Sequence, residues 1–162
     1  MLLGDKPTDG FPACDSSHLV GDLAFGLDGT LLASGGDGAH WEWVDDGSNK
    51  IPEDVTCDQM FPDTDIGAMR AQSFNSLGGK IVRINKDNGE GIGPGNGLVP
   101  NPFYDAANPK SIRSKIWTYG NRNQWRLHVR PDSNSGGPGT IYVSDVGFYT
   151  WEEFNVVREG RK

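Results

Sequence analysis

The sequence is short of several things at once. Its 162 residues include only two cysteines, Cys14 and Cys57, and three histidines. Two thiols cannot build the dense disulfide framework of a small secreted scaffold. They leave open a bridge to each other, two free thiols, or bonds to segments outside these residues; the Cys14–Cys57 bridge is the expectation. No run approaches the ~18 consecutive apolar residues of a membrane-crossing helix, so no membrane span is expected. The opening Met1-Leu2-Leu3-Gly4-Asp5 is too short for a signal peptide, and a secreted parent protein would carry its signal elsewhere. No stretch sustains a 3.6-residue apolar period, which excludes a major helix. Basic residues form no cluster: 15 Lys and Arg stand against 22 Asp and Glu, a net charge of -7, which argues against a nucleic-acid or anionic-membrane partner. The phosphate-binding pattern G-x-G-x-x-G is missing from the glycine-rich stretch Gly89 to Gly97, which reads as a connector. His40 and His128 lack metal-ligand spacing and are assigned nothing.

What is present is turn chemistry. With 23 Gly, 10 Pro and 35% hydrophobic residues, the chain has the composition of many short strands joined by turns. The expected class is all-β. The organising stretch is His18 to His40: Leu23 and Phe25 alternate with small or polar neighbours, Leu27-Asp28-Gly29-Thr30 supplies a turn, and Leu31-Leu32-Ala33 resumes. Gly35-Gly36-Asp37-Gly38 then ends the second strand and leaves Asp37 beside His18 at one rim. A histidine and an aspartate meeting at a sheet rim suggest a site, although a solvated His and a turn Asp are the plainer readings.

Further along, Gly79 to Asn85, Ile116 to Gly120 and Trp125 to Val129 read as strands. Between them lies a long insertion without strand pattern, spanning 41–68, which opens on Trp41-Glu42-Trp43. Two tryptophans beside Asp45 and Asp46 suit stacking on a sugar ring, with loop packing as the preferred alternative. Asp58, Asp63 and Asp65 have carboxylates suited to calcium but lack EF-hand order, and are read as solvated charge. The stretch from Leu127 through Ser144 repeats the logic of Leu23 through Ser34 at an offset of 104 residues. With the Ile81 strand between, this predicts modules of ~50 residues, and rims at Asp37-Gly38 and Asp145-Val146-Gly147 facing one surface. Trp151-Glu152-Glu153 is read as an anchor to a following blade.

The ordered set His18-x-x-Gly-Asp-Leu-x-Phe-Gly-x-Asp-Gly29, Gly36-Asp-Gly38, Leu77-Gly-Gly-Lys-Ile-Val-Arg-Ile-Asn85, Asn101-Pro-Phe-Tyr104, Tyr119-Gly-x-Arg-Asn123 and Asp145-Val-Gly-x-x-x-Trp-Glu-Glu153 resembles the glucose/sorbosone dehydrogenase family. That family contains soluble pyrroloquinoline quinone (PQQ) aldose dehydrogenases and non-enzymatic Hedgehog-interacting proteins of the same fold. The resemblance implies a six-bladed β-propeller, of which residues 1–162 would be a fragment of about three blades, completed by the rest of the ring or by other chains. It implies His18 as the base that takes the sugar's anomeric proton, oriented by Asp37. Arg122 and Asn123 would contact PQQ, and the backbone carbonyls of Gly147 and Phe148 would hold Ca2+. Gln124 departs from the pattern, since a proline usually follows the Arg-Asn pair. The implied function is PQQ- and Ca2+-dependent oxidation of an aldose in an extracellular or periplasmic setting. The alternative is a non-enzymatic extracellular propeller that binds a glycan or protein partner, or forms part of an assembly.

Overall fold

The structure, a computed structural model, describes residues 1–6, 9–47, 65–131 and 136–158. Among these described residues seven strands form two antiparallel sheets. The first contains β1 (Val20–Phe25), β2 (Leu31–Gly35), β3 (Lys80–Ile84) and β4 (Ile116–Tyr119) in that order. The second contains β5 (Gln124–Arg130), β6 (Thr140–Asp145) and β7 (Glu153–Val157). Each is a meander in which sequence neighbours pair, and the chain is a partial β-propeller, as the sequence predicts. Among the described residues helix is confined to a 3-10 segment, Gly67–Gln72, and one α-turn, α1 (Ile112–Lys115).

The β1–β2 hairpin closes as its turn residues require. Gly26 N donates to Thr30 O at 2.9 Å, and the Asp28 carboxylate accepts from Thr30 N and Thr30 Oγ1 at 3.0 and 2.6 Å. Leu23 pairs with Ala33 and Phe25 with Leu31, with an irregularity between Val20 and Leu23 that turns the rim end of β1 out of strict register.

β3 is buried at every position, so it shows no inside-outside alternation. Both faces of its sheet are covered. On one face Leu32, Ile81 and Trp117 pack against Leu127, Ile141, Val143 and Val157 of the second sheet. On the other, Ala33, Val82 and Ile84 lie with Leu77 beneath Leu2, Leu3 and Phe11. The two cations buried in this strand are both accommodated. The Arg83 guanidinium pairs with Asp28, donates to Val99 O at 2.6 Å and lies 4.7 Å from the centre of the Trp117 ring. Lys80 Nζ donates to the carbonyls of Arg70, Ala71 and Gly78 at 2.7, 3.0 and 2.7 Å.

The internal repeat is real, but its period is that of one blade. β3 is the third strand of the same sheet as β1 and β2, so the 104-residue offset is not two modules of ~50 residues. It measures one sheet together with the insertion and the connector from Asn85 to Ser111. The repeated hairpins lie side by side: Leu127 N donates to Asp22 Oδ2 at 3.0 Å. A Cβ built on Gly21 would come within 1.8 Å of Gln124 O, so only glycine permits this approach of β1 to β5. β7 is a strand where the sequence reading placed only an anchoring Trp-Glu-Glu. The sequence-defined insertion 41–68 falls largely outside the described residues; its entry through Gly47 and its exit from Asp65 are described.

Candidate functional site

His18 precedes β1 and sits at φ +52, a conformation that a non-glycine residue adopts only when its surroundings hold it there. Two contacts do so. Gly36 N donates to Leu19 O at 2.9 Å, and a Cβ on Gly36 would lie 2.4 Å from His18 O. The glycine after β2 therefore lets the His18 backbone close onto the sheet. His18 Nδ1 then meets Asp37 Oδ1 at 2.8 Å, with both side chains almost fully buried. Asp37 Oδ1 also accepts from Ala39 N at 2.9 Å. A carboxylate only accepts, so in the neutral imidazole Nδ1 carries the proton and Nε2 keeps its lone pair for a partner.

The second sheet approaches at this point. Asp37 N donates to Arg122 O at 2.8 Å, joining the dyad to the turn between β4 and β5. That turn is fixed by Asp145 at the end of β6. The Asp145 carboxylate accepts from Arg122 N at 2.9 Å and Asn123 N at 2.5 Å, and Val146 N donates back to Asn123 O at 3.0 Å. Asp37 and Asp145 are thus equivalent ends of the repeat with different work: one orients an imidazole, the other caps two amides.

His18 and Asn123 line one cavity of ≈ 480 Å³, together with Ser17, Trp125 and Arg126. Arg122 lines a neighbouring cavity of ≈ 420 Å³ with Phe148, Tyr149, Trp151 and Glu153. The structure brings five of the six sequence-predicted positions into one hydrogen-bonded rim: His18, Asp37, Arg122, Asn123 and Gly147. It places Arg122 and His18 on two sides of the 121–123 turn. Phe148 joins the rim through its ring, which lies 5.2 Å from the Arg122 guanidinium.

The calcium assignment does not fit these residues as they stand. Arg122 Nη1 donates to Val146 O and Gly147 O at 3.0 and 2.9 Å, so a guanidinium already occupies the carbonyl expected to bind Ca2+, and a second cation there would be repelled. Among the described residues no group of three or more His, Cys, Asp or Glu side chains is placed to hold a metal ion. Asp65 is paired with Arg70 at 2.8 Å, not solvated, while Asp58 and Asp63 lie outside the described residues, as does Cys57 of the expected disulfide. Asn123 and Arg126 with the Trp125 ring in the first cavity, and the Arg122 guanidinium beside the second, are groups of the kind that suit a planar anion chemically.

The chain matches the family model described as Glucose / Sorbosone dehydrogenase over residues 11–162. It belongs to the glucose/sorbosone dehydrogenase family. Among curated relatives, HIPL1 protein of Arabidopsis thaliana is 30% identical over 154 residues, which is 90% of this chain and 18% of that protein. Among solved structures, the PQQ-bound form of an aldose sugar dehydrogenase from Streptomyces coelicolor is 27% identical with a TM-score of 0.57, covering 94% of this chain and 31% of that one. A glucose dehydrogenase is 25% identical with a TM-score of 0.53, covering 98% and 32%. The chain thus spans under a fifth of the curated relative and about a third of these structures. Among the described residues no helix is long and apolar enough to cross a membrane.

Sequence reasoning missed several residues of this family member's rim. Asp145 was placed at a rim by the repeat but given no role there, and the capping of two amides is what the structure adds. Trp125 and Arg126 read only as strand, since nothing in an alternating run says which face meets a cavity. His40 was passed over for want of metal spacing, yet it is 4% exposed and its Nδ1 accepts from Glu42 N and Trp43 N at 3.0 and 3.2 Å.

Proposed function

We propose that this chain supplies the base and part of the binding wall of a PQQ-dependent aldose dehydrogenase whose remaining walls come from the rest of the propeller. The observation that carries the reading is the buried His18–Asp37 pair at 2.8 Å, fastened to the Arg122-Asn123 turn by Asp37 N. The solved relatives, an aldose sugar dehydrogenase with PQQ and a glucose dehydrogenase, support the sugar as substrate and the quinone as cofactor.

When bound, the quinone would accept the hydride from the sugar's anomeric carbon. The chain's own residues handle the proton. His18 Nε2, unprotonated while Nδ1 faces Asp37, takes the proton of the anomeric hydroxyl as C–H cleavage builds a carbonyl. Asp37 then sits against an imidazolium, which it stabilises electrostatically while keeping the ring from rotating. Arg122, Asn123 and Arg126 would hold the anionic cofactor, and Asp145 keeps the first two in place by capping their amides. Calcium enters no step. We further propose an extracellular or periplasmic setting with Cys14 and Cys57 bridged, checked by intact mass with and without reduction.

The test uses the full-length protein. With PQQ added, an aldose should reduce an electron-accepting dye, and His18→Gln should abolish the reaction while leaving quinone binding, followed by its absorbance, intact. Dye reduction at the wild-type rate by His18→Gln would overturn the assignment.

A further inference from the structure

The insertion begins with a turn that holds two tryptophans outward. His40 is buried beneath it and accepts the amides of Glu42 and Trp43, and its ring lies 6.4 Å from that of Trp41 and 6.5 Å from that of Trp43. Asp45 ties the other side: its carboxylate accepts from His40 N and Gly47 N at 3.2 and 3.1 Å, and its carbonyl accepts from Ala68 N at 3.0 Å. The turn is built from within, yet Trp41 and Trp43 remain 56% and 59% exposed. Large aromatic rings left more than half open forgo much of their possible burial, and an exposed apolar patch rimmed by polar groups marks a contact surface.

The patch does not stop at the insertion. Tyr149 Oη donates to Glu42 O at 3.3 Å, which brings the loop after β6 against the residue between the two tryptophans. The Tyr149 ring lies 4.2 Å from Phe148, which in turn lies 5.2 Å from the Arg122 guanidinium. Trp151, 79% exposed, lines the same cavity as Arg122. An aromatic line thus runs from Trp41 and Trp43 across Tyr149 to the Arg122 side of the rim.

We infer that this line is a binding platform for a neutral oligosaccharide, which presents its terminal sugar to the rim. Flat aromatic faces match the C–H faces of pyranose rings, and the peptide and carboxylate oxygens around Glu42, Glu152 and Glu153 accept sugar hydroxyls. The carboxylates of Glu42, Glu152 and Glu153 beside the line select against a polyanionic glycan. The inference rests on the sugar-oxidising reading for the identity of the ligand, but its test needs neither cofactor nor turnover.

The full-length protein would be titrated with cellohexaose, maltohexaose and glucose, with intrinsic fluorescence and calorimetry as readouts. One of the two hexasaccharides should quench tryptophan emission and bind at least about tenfold more tightly than glucose. The Trp41→Ala/Trp43→Ala double variant should erase that advantage, and the Trp41→Phe/Trp43→Phe variant should keep most of it. Both pairs are exposed, so circular dichroism and melting should match wild type. Neither hexasaccharide binding better than glucose, or an advantage indifferent to the double alanine variant, overturns the platform. So does stronger binding of hexagalacturonate, which would make the ligand an anion. Hexasaccharide binding without aldose oxidation would sink only the dehydrogenase reading, and oxidation without tryptophan-dependent binding only the platform.

Discussion

Asp37 and Arg122 stand 85 positions apart in sequence and are joined backbone to backbone, Asp37 N donating to Arg122 O at 2.8 Å. The residue that orients His18 thereby also rests on the turn that carries the guanidinium. Orientation of the imidazole and placement of Arg122 are one geometric quantity, and substitutions on either side of this bond should affect both.

Asp37→Asn preserves shape while removing the carboxylate charge. One oxygen takes both His18 Nδ1 and Ala39 N, so the amide oxygen can replace it and keep the tautomer, while the imidazolium formed in the reaction loses its counter-charge. Oxidation by the full-length protein should fall at least about tenfold, the effect of ~1.4 kcal/mol of lost stabilisation, with the fold unchanged. Nitrogen-resolved NMR of the His18 ring should still show the Nδ1 proton; an unchanged rate in the variant would count against the mechanism.

Gly36→Ala forces a Cβ to 2.4 Å from His18 O. The backbone must shift, at a cost of about 1–3 kcal/mol in urea denaturation. Activity should drop further than stability, because the strained His18 backbone moves with it.

Asp145→Ala strips the acceptor from two amides, those of Arg122 and Asn123. Leaving them unmatched should destabilise the protein by about 1–3 kcal/mol. Quinone affinity should weaken, while the tautomer of His18, read as above, should hold.

Lys80 offers a pH test. Burial pushes its pKa down to about 7 from 10.5, opposed by the charge of Asp37. The unfolded chain then binds more protons than the folded one between about pH 7 and 10.5, so stability rises with pH across that window; below it the full cost of the buried ammonium is present. Relative to Lys80→Met, the wild type should gain up to about 1.4 kcal/mol per pH unit from pH ~7 upward. Denaturation curves at two pH values would show this; a constant gap between the two proteins would mean that the three carbonyls around Nζ keep the ammonium fully charged in the fold.

Much of this was legible in the chain, for reasons that can be named. The β1–β2 hairpin was legible from the alternation of Leu23 and Phe25 with small or polar neighbours, although these two side chains lie on the open face of β1, 62% and 63% exposed. β3 was found from its β-branched residues even though Lys80 and Arg83 are buried. β7 was missed because Phe154 and Val156, 70% and 44% exposed, point away from the described core, and the glutamates before them disguise the strand. The His18–Asp37 pair followed from hairpin geometry, but the partition of His18 and Arg122 into adjoining cavities did not. That depends on how the 121–123 turn crosses between the sheets, and no local pattern encodes it. The guanidinium seated on Gly147 O was equally hidden, since carbonyl direction leaves no trace in side-chain identity.

Gly21 has a wider consequence. Because β1 and β5 meet there with no room for a side chain, the interval between the imidazole and the guanidinium is gauged by main chain against main chain. Side chains around either cavity are then free to diversify without disturbing that interval. Ligand preference and reactive spacing can evolve as separate traits in this protein, with a single hydrogen-sized position keeping the second constant.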